Sequence, residues 1–401
     1  MTAPPENTDW EEARAVARAV PPLPPVTRDL AEALGHALAE PLTALTDLPP
    51  FDTSAMDGWA VAGPGPWRLR GGGVLAGGQP EPLCSGTAVP IATGARLPEG
   101  ARAVLRREDG EGGARGGLLV GRSTGPGPPA PGRDVRPRGQ ECHAGDALLP
   151  AGRSVTPTVL GLAAAAGHDR LTVHRRPLVH LLVLGDELLE TGPPRHGRVR
   201  DALGPLLPPW LRGQGVDVVG RRLLPDDFGP LYEAVRGSTA DVVVTTGSTA
   251  AGPVDFLHDA LRAVGARLLV DAVAVRPGHP MLLAELPPAA AGGRPRHLVG
   301  LPGNPLAAVA GTVTLALPLL RRLGGHADAE PVRASCAAAL PGHPRDTRLV
   351  PVRRTGPAVT PLLFDGPAML RGLAVADGLA VVPPGGADSG SVVEILDVPR
   401  L

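Results

Sequence analysis

"RHLVGLPGNPLAAVAGTVTLALPLLRRLGG", residues 296–325, sets a short apolar strand against a long apolar helix with only Pro-Gly-Asn-Pro between them. A strand apolar on both faces belongs inside a parallel sheet, where crossover helices cover both sides. Asn304 stands where an N-cap would and Pro305 at the first helical position, while Gly303 lets backbone approach a ligand. That helix start suits an anion; the alternative is a tight structural turn.

Moving outward, the same punctuation recurs. "PLVHLLVLG" (177–185), "VDVVGRRLLP" (216–225) and "ADVVVTTG" (240–247) read as strands, and "GPLLPPWLRGQG" (204–215), "GPLYEAVRG" (229–237) and "VDFLHDALRAVG" (254–265) as helices. The alternation predicts a doubly wound α/β domain over residues 177–325. On either side the period drops to two. "GWAVAG", "WRLRGGG", "TAVPIATGA" and "RAVLRRED" predict a β-rich insert over 46–141, and "RLVPVRR" and "GLAVVPPGG" a small C-terminal β domain over 326–401. The stretch 8–20, capped by Thr8 or Asp9, reads as an amphipathic helix, as does "TRDLAEALGHALAEPL" (27–42). With a third helix capped at Thr156 or Thr158, they predict a discontinuous helical linker domain, 1–45 and 142–176. The Gly/Pro-rich residues 112–134 read as a mobile excursion. The fold class is therefore α/β and multidomain.

Composition narrows the function. At 401 residues the chain exceeds one ordinary core, and a net charge of -1 with 2% aromatics argues against a nucleic-acid partner or an acidic membrane surface. All 39 basic residues are Arg, a bias of composition before it is chemistry. The three cysteines, Cys84, Cys142 and Cys336, lack CxxC spacing and fit a reducing cytoplasm. The acidic N-terminal stretch does not resemble a signal peptide, and no apolar run reaches about 18 residues, so a soluble cytoplasmic protein is expected.

In an open parallel sheet, ligands bind beyond the carboxyl ends of the strands. The first strand ends in Gly185-Asp186-Glu187, where two acids suit Mg2+, or a turn in which Glu187 opens a helix. "TTGSTAAGPVD" (245–255) offers hydroxyls and amides at Gly247 and Ser248 that can cradle a phosphate, or a plain strand-to-helix loop. Asp255 either caps the next helix or joins the acidic set. In "AVRPGHPM" (274–281), Arg276 and His279 can clamp an oxyanion. Acids beside an anion repel it unless a divalent cation sits between them, so the two signals agree only with Mg2+ present. Neither GxxxxGK[ST] nor a strand-end GxGxxG occurs, and no HExxH or adjacent Ser-His pairing supports a metalloprotease or nucleophilic hydrolase.

Together "FDTSAMDGWAV", "IATGARLPEGARAVLRRE", "GRDVRPRGQECHAGDALLPAG", "LGDELL", "VVVTTGSTAAGPVDF", "VRPGHP" and "GLPGNPLAAV" resemble, in order and over nearly the whole chain, the molybdopterin molybdenumtransferases. This is the MoeA family, which includes the E domain of gephyrin. The resemblance implies Mg2+-dependent insertion of molybdenum from molybdate into adenylylated molybdopterin, releasing AMP. It also implies a homodimer whose site joins the α/β domain of one subunit to the insert of the other, with other proteins of molybdenum cofactor assembly as further partners. Carried over residue by residue, it gives Asp57, Thr93 and Glu141 to the insert-side wall and Arg138 to an anion contact. Asp186, Glu187 and Asp255 fall on metal-associated positions, with Asp57, Glu187 and Asp255 catalytic. Gly247, Ser248, Pro302, Gly303, Asn304 and Pro305 fall on the loops that hold the pterin, and Arg276 and His279 on a Lys-Pro-Gly-Lys-Pro loop. Asp52, by contrast, reads as the cap of an Asx turn.

Departures cluster at this site: Leu184 for Thr, Ala202-Leu203 for Ser/Thr-Asn, Ser248 for Gly, Gln140-Glu141 for Glu-Asp, and Arg371-Gly372 for small hydroxyl residues. They keep open a second reading, a pterin- or molybdate-binding paralogue that acts as carrier or partner. An adenylyltransferase would share the α/β domain without needing the "SAMDG" insert.

Overall fold

A computed structural model describes residues 7–112, 117–121, 129–249 and 256–398. Its central sheet has six strands: β1 (Leu178–Leu184), β2 (Asp217–Leu224), β3 (Val242–Thr246), β4 (Arg267–Asp271), β5 (Leu282–Leu286) and β6 (Arg296–Leu301). The order is β2-β1-β3-β6-β5-β4. The first four run parallel, and β5 and β4 pair antiparallel at one side. Every residue of β3 and β6 is buried, as their continuous apolar runs require.

Side chains alternate across β1. Val179, Leu181 and Val183 enter one core with Leu203, Leu207 and Leu211 of α1 (Leu203–Gly213). Leu182 and Leu184 enter another, with residues of α2 (Phe228–Gly237) and α3 (Leu257–Ala263). Helices thus cover both faces, and the chain leaves β1 to one side for β2 and returns to the other for β3. That reversal opens a crevice at the carboxyl ends of β1 and β3.

Residues 305–323 form one helical run: α4 (Pro305–Gly311), a π turn (Thr312–Ala316) and α5 (Leu317–Leu323). Pro318 has no N–H to give the carbonyl four residues back, which accounts for the widened turn. By length and composition the run could cross a membrane, which an apolar-run count on the sequence missed. It is 89% buried against this sheet and is a core helix.

The insert carries a six-stranded sheet in which Gly58–Ala62 lies between Ala103–Arg106 and Thr87–Ile91. Of the Gly/Pro-rich excursion, Leu118–Gly121 is a strand paired to Trp67–Leu69 and Gly110–Gly112, while 113–116 and 122–128 lie outside the described residues. The C-terminal strands close into a five-stranded barrel, because Thr347–Thr355 pairs with both Ala358–Pro361 and Gly378–Val382. Closure removes the edges that would invite further pairing.

The N-terminal helix Trp10–Arg18 is capped by Asp9, and Pro157–Ala165 by Thr156. Residues 27–42 correct the expected helix. Only Leu30–Ala33 is helical; Pro25–Asp29 and Ala37–Leu38 are strands paired with Arg170–His174. Gly35 at φ +77 breaks the helix, and the backbone finds its partners across the sheet instead.

Candidate active-site cleft

The loops after β1, β3 and β6 meet around a cleft of about 670 Å3, with Asp226 beyond β2 and Ala368 of the C-terminal region completing its wall. Two glycines allow that approach. A Cβ on Gly247 (φ +91) would lie 3.1 Å from the Leu184 carbonyl oxygen, and one on Gly185 (φ +147) 2.6 Å from a Glu187 carboxylate oxygen. The Glu187 carboxylate is thereby packed against the end of β1, at the cleft. Asp186 and Glu187 form a turn that leads into a short strand, Leu188–Leu189, so the helix-opening alternative is not realised.

Asp226, which strand-end reading passed over, joins three loops. Its Oδ2 accepts from the Asp186 N–H at 3.2 Å and its Oδ1 from the Ser248 hydroxyl at 3.4 Å. Asp201, also missed, is buried. Its Oδ1 accepts from the N–H groups of Leu203 (3.0 Å) and Gly204 (2.9 Å), which fixes the start of α1. Arg221 donates to its Oδ2 at 2.7 Å and reaches Glu190 at 3.2 Å. The acids Glu187, Asp201 and Asp226 line the cleft against Arg200. Such a wall takes an anion only with a cation between them.

Pro302, Gly303, Asn304 and Pro305 line the cleft. The expected anion at the helix start is corrected. The N–H groups of Leu306 and Ala307 donate to the Pro367 carbonyl at 2.9 and 3.2 Å, so a neighbouring loop caps α4. The side chain of Asn304, at the N-cap position, makes no capping bond and stays exposed on the cleft.

The two basic positions differ from the clamp the sequence suggested. Arg276 donates through Nε to Asp346 at 2.8 Å, and His279 donates through Nδ1 to the Val273 carbonyl at 2.9 Å. Neither lines the cleft, whereas Pro280 does. Arg276 also belongs to a two-residue strand paired with Thr347–Thr355, which draws it toward the barrel.

The insert residues lie elsewhere on the same chain. The exposed carboxylate of Asp57 accepts from Thr93 N–H at 2.7 Å and Oγ1 at 2.9 Å. Those bonds, the backbone one foremost, hold it below the usual carboxylate range. Asp57 shares a groove with Trp59, Pro90 and Arg107. The Ser-Ala-Met turn between the paired acids is fixed by Ser54, whose hydroxyl donates to the Met56 carbonyl. Asp52 accepts from the Arg138 N–H at 2.7 Å and so ties segments 86 residues apart rather than capping a local turn. The Arg138 guanidinium is paired with Asp47, which also accepts from Ala144 N–H, so this arginine closes the neck of the insert. Glu141 is exposed in a groove beside Leu48 and Gln140.

Among the described residues no three His, Cys, Asp or Glu side chains are grouped to hold a metal, and Asp255 lies outside those residues.

Comparison with known proteins agrees with this architecture. Residues 8–167 match the MoeA N-terminal region (domain I and II), 180–322 a probable molybdopterin binding domain, and 333–398 the MoeA C-terminal region (domain IV). The chain belongs to the MoeA family. The molybdopterin molybdenumtransferase 2 of Mycobacterium tuberculosis (strain ATCC 25618 / H37Rv) is 32% identical over 398 residues, covering 93% of this chain and 94% of that protein. The molybdopterin molybdenumtransferase of Haemophilus influenzae is 32% identical, covering 74% and 72%. The crystal structure of a MoeA protein from Pyrococcus horikoshii, 26% identical, superposes with a TM-score of 0.76 over 98% of this chain and all of that one. This MoeA family member is a transferase of molybdenum cofactor biosynthesis.

Proposed function

We propose that the cleft binds adenylylated molybdopterin with molybdate and transfers molybdenum to the dithiolene, releasing AMP. The meeting of three strand-end loops and their acids at the sheet's switch point carries the reading. Glu187 and Asp226 fit a Mg2+ held by one or two carboxylates, its remaining positions filled by phosphate and water. The cation would neutralise the pyrophosphate as the anhydride bond breaks. Gly247, Ser248 and the Pro302–Pro305 loop hold the phosphorylated pterin, and Asn304 offers it an uncommitted amide. Glu187 orients the attacking water, and Asp255, which lies outside the described residues, is the second acid the family resemblance offers for that role. Water adds to the phosphorus and the phosphoanhydride P–O bond breaks, freeing AMP and leaving the pterin its phosphate, while the two dithiolene thiols displace a molybdate oxygen that departs as water with the two thiol protons.

AMP release from adenylylated molybdopterin, with and without molybdate and Mg2+, tests this. Wild-type protein should require both, and Glu187→Gln should lower turnover by about a hundredfold or more while the fold is kept. Pterin binding without AMP release would instead mark a carrier, a reading that the engagement of Arg276 and His279 outside the cleft favours.

Asp57 and Thr93 line no part of the cleft in their own chain, which supports a homodimer in which each insert completes the other subunit's site. Mixing Asp57→Asn with Glu187→Gln protein then rebuilds one intact site per mixed dimer. Random exchange should restore about a quarter of wild-type turnover, and no recovery would place the whole site in one subunit.

A further inference from the structure

An anionic substrate calls for a fixed positive charge in the cleft, and the basic loop marked by the sequence does not bring one there. Arg276 is held by Asp346 and His279 by the Val273 carbonyl, and neither lines the cleft. Among the described residues the one basic side chain in the lining is Arg200, which the motifs left unmarked. It ends Val199–Arg200, a two-residue strand paired in parallel with Leu188–Leu189.

Backbone bonds fix this strand against the end of β1. The Val199 N–H donates to the Glu187 carbonyl at 2.8 Å, and the Asp201 N–H to the Leu189 carbonyl at 3.0 Å. Just before it the chain turns tightly through His196 (φ +51) and Gly197 (φ +76), with Arg195 and Arg198 exchanging both backbone bonds. Two guanidiniums then hook onto consecutive carbonyls of the facing strand. Arg198 donates through Nη2 to Leu188 at 2.9 Å, and Arg200 through Nη1 to Leu189 at 3.2 Å. A carbonyl orients a guanidinium without neutralising it. The nearby acids Glu190 and Asp201 are taken by Arg221 instead, at 3.2 and 2.7 Å, and among the described residues Arg195, Arg198 and Arg200 enter no ion pair. Arg200 therefore meets the cleft exposed and charged, with most of its five N–H donors uncommitted.

We propose that Arg200 selects a phosphate ester for this cleft, its planar fork taking two oxygens of a substrate phosphate directly. Glu187 and Asp226 require a cation between themselves and such a ligand, whereas Arg200 requires none. The phosphate is that of the nucleotide or the one on the pterin, and the chemistry of recognition is the same. Arg195 and Arg198, outside the lining, add a positive field that speeds the approach of an anion. The inference rests on reading the cleft as the site of a phosphorylated pterin, but it stands or falls on binding and not on turnover.

Titration calorimetry of the full-length protein in EDTA, with AMP, adenosine and non-adenylylated molybdopterin as ligands, tests it. Whichever of AMP and molybdopterin carries the recognised phosphate should bind the wild type and lose about tenfold or more in Arg200→Gln, while adenosine is indifferent to the change. A loss for AMP assigns the nucleotide phosphate, and a loss for molybdopterin the terminal phosphate of the pterin. Arg200→Lys keeps the charge without the fork and should fall between the two. Arg212→Gln, which removes an exposed arginine from the far end of α1, should behave as wild type. Tm should not change in Arg200→Gln, because the side chain is exposed and its bond is to one carbonyl. Absence of metal-free binding by either phosphate ligand, equal affinity of wild type and Arg200→Gln for both, or a matching loss in Arg212→Gln would each overturn the proposal. Binding that depends on Arg200 in a protein that releases no AMP would refute the transferase reading and leave this assignment standing.

Discussion

Ser248 shows what a single side chain does to the cleft. It sits at φ +51, in the left-handed region that favours glycine, and its hydroxyl reaches Asp226 at 3.4 Å. The strain of a Cβ there is roughly 1–2 kcal/mol, more than a long hydrogen bond at a partly exposed site returns. Ser248→Gly should therefore stabilise the protein by about 1 kcal/mol. Urea unfolding measures it, and a loss of stability would show that the bond to Asp226 outweighs the strain. The substitution was visible in the sequence; its backbone geometry was not. Asp226 stayed hidden for a related reason. Asp227 beside it caps α2 through a bond to Gly229 N–H at 2.8 Å, and two acids before a helix look alike until the fold separates cap from cleft.

At the scale of elements, burial decided what the sequence could tell. The central strands are covered on both faces, and their apolar runs predict them directly. Leu181 is fully buried on β1, in the core formed with α1 and the helical run 305–323. Leu181→Ala should cost about 2–5 kcal/mol, because tightly packed neighbours cannot collapse into the space. A smaller shift in the denaturant midpoint would mean that this core relaxes. Residues 27–42 misled because Leu30, Ala33 and Leu38 sit at spacings that suit a helix, while Pro25–Asp29 and Ala37–Leu38, on either side of the single helical turn Leu30–Ala33, pair with residues more than a hundred positions away. Local pattern carries no record of such partners. Arg138 and Arg276 misled in the same way, since Asp47 and Asp346, which hold them, are distant in sequence.

Across the whole molecule, the junction between the linker strands and the central domain is built on histidines that no motif announces. His326, just past α5, has its Nδ1 2.9 Å from the Ser154 hydroxyl, and His174 donates through Nδ1 to the Leu23 carbonyl at 2.7 Å. Burial lowers the His326 pKa to about 4 from 6.5, and the charges of Arg321, His36, His174 and Arg176 push the same way. Between those two values the unfolded chain binds a proton at this position that the folded chain refuses. Stability is thus fully present above pH 6.5 and falls as pH drops toward about 4, by on the order of 3 kcal/mol at most. His36, also lowered by burial, adds in the same direction. The carboxylates of Asp47, Asp57 and Asp134 are lowered from 3.8, so their losses begin below this window. Unfolding followed from neutral pH down to pH about 5 should therefore show a slope that His326→Gln reduces, because a glutamine keeps a polar partner for Ser154 and takes no proton. If wild type and variant lose stability in parallel, the acid sensitivity lies elsewhere and the junction is held by its packing alone.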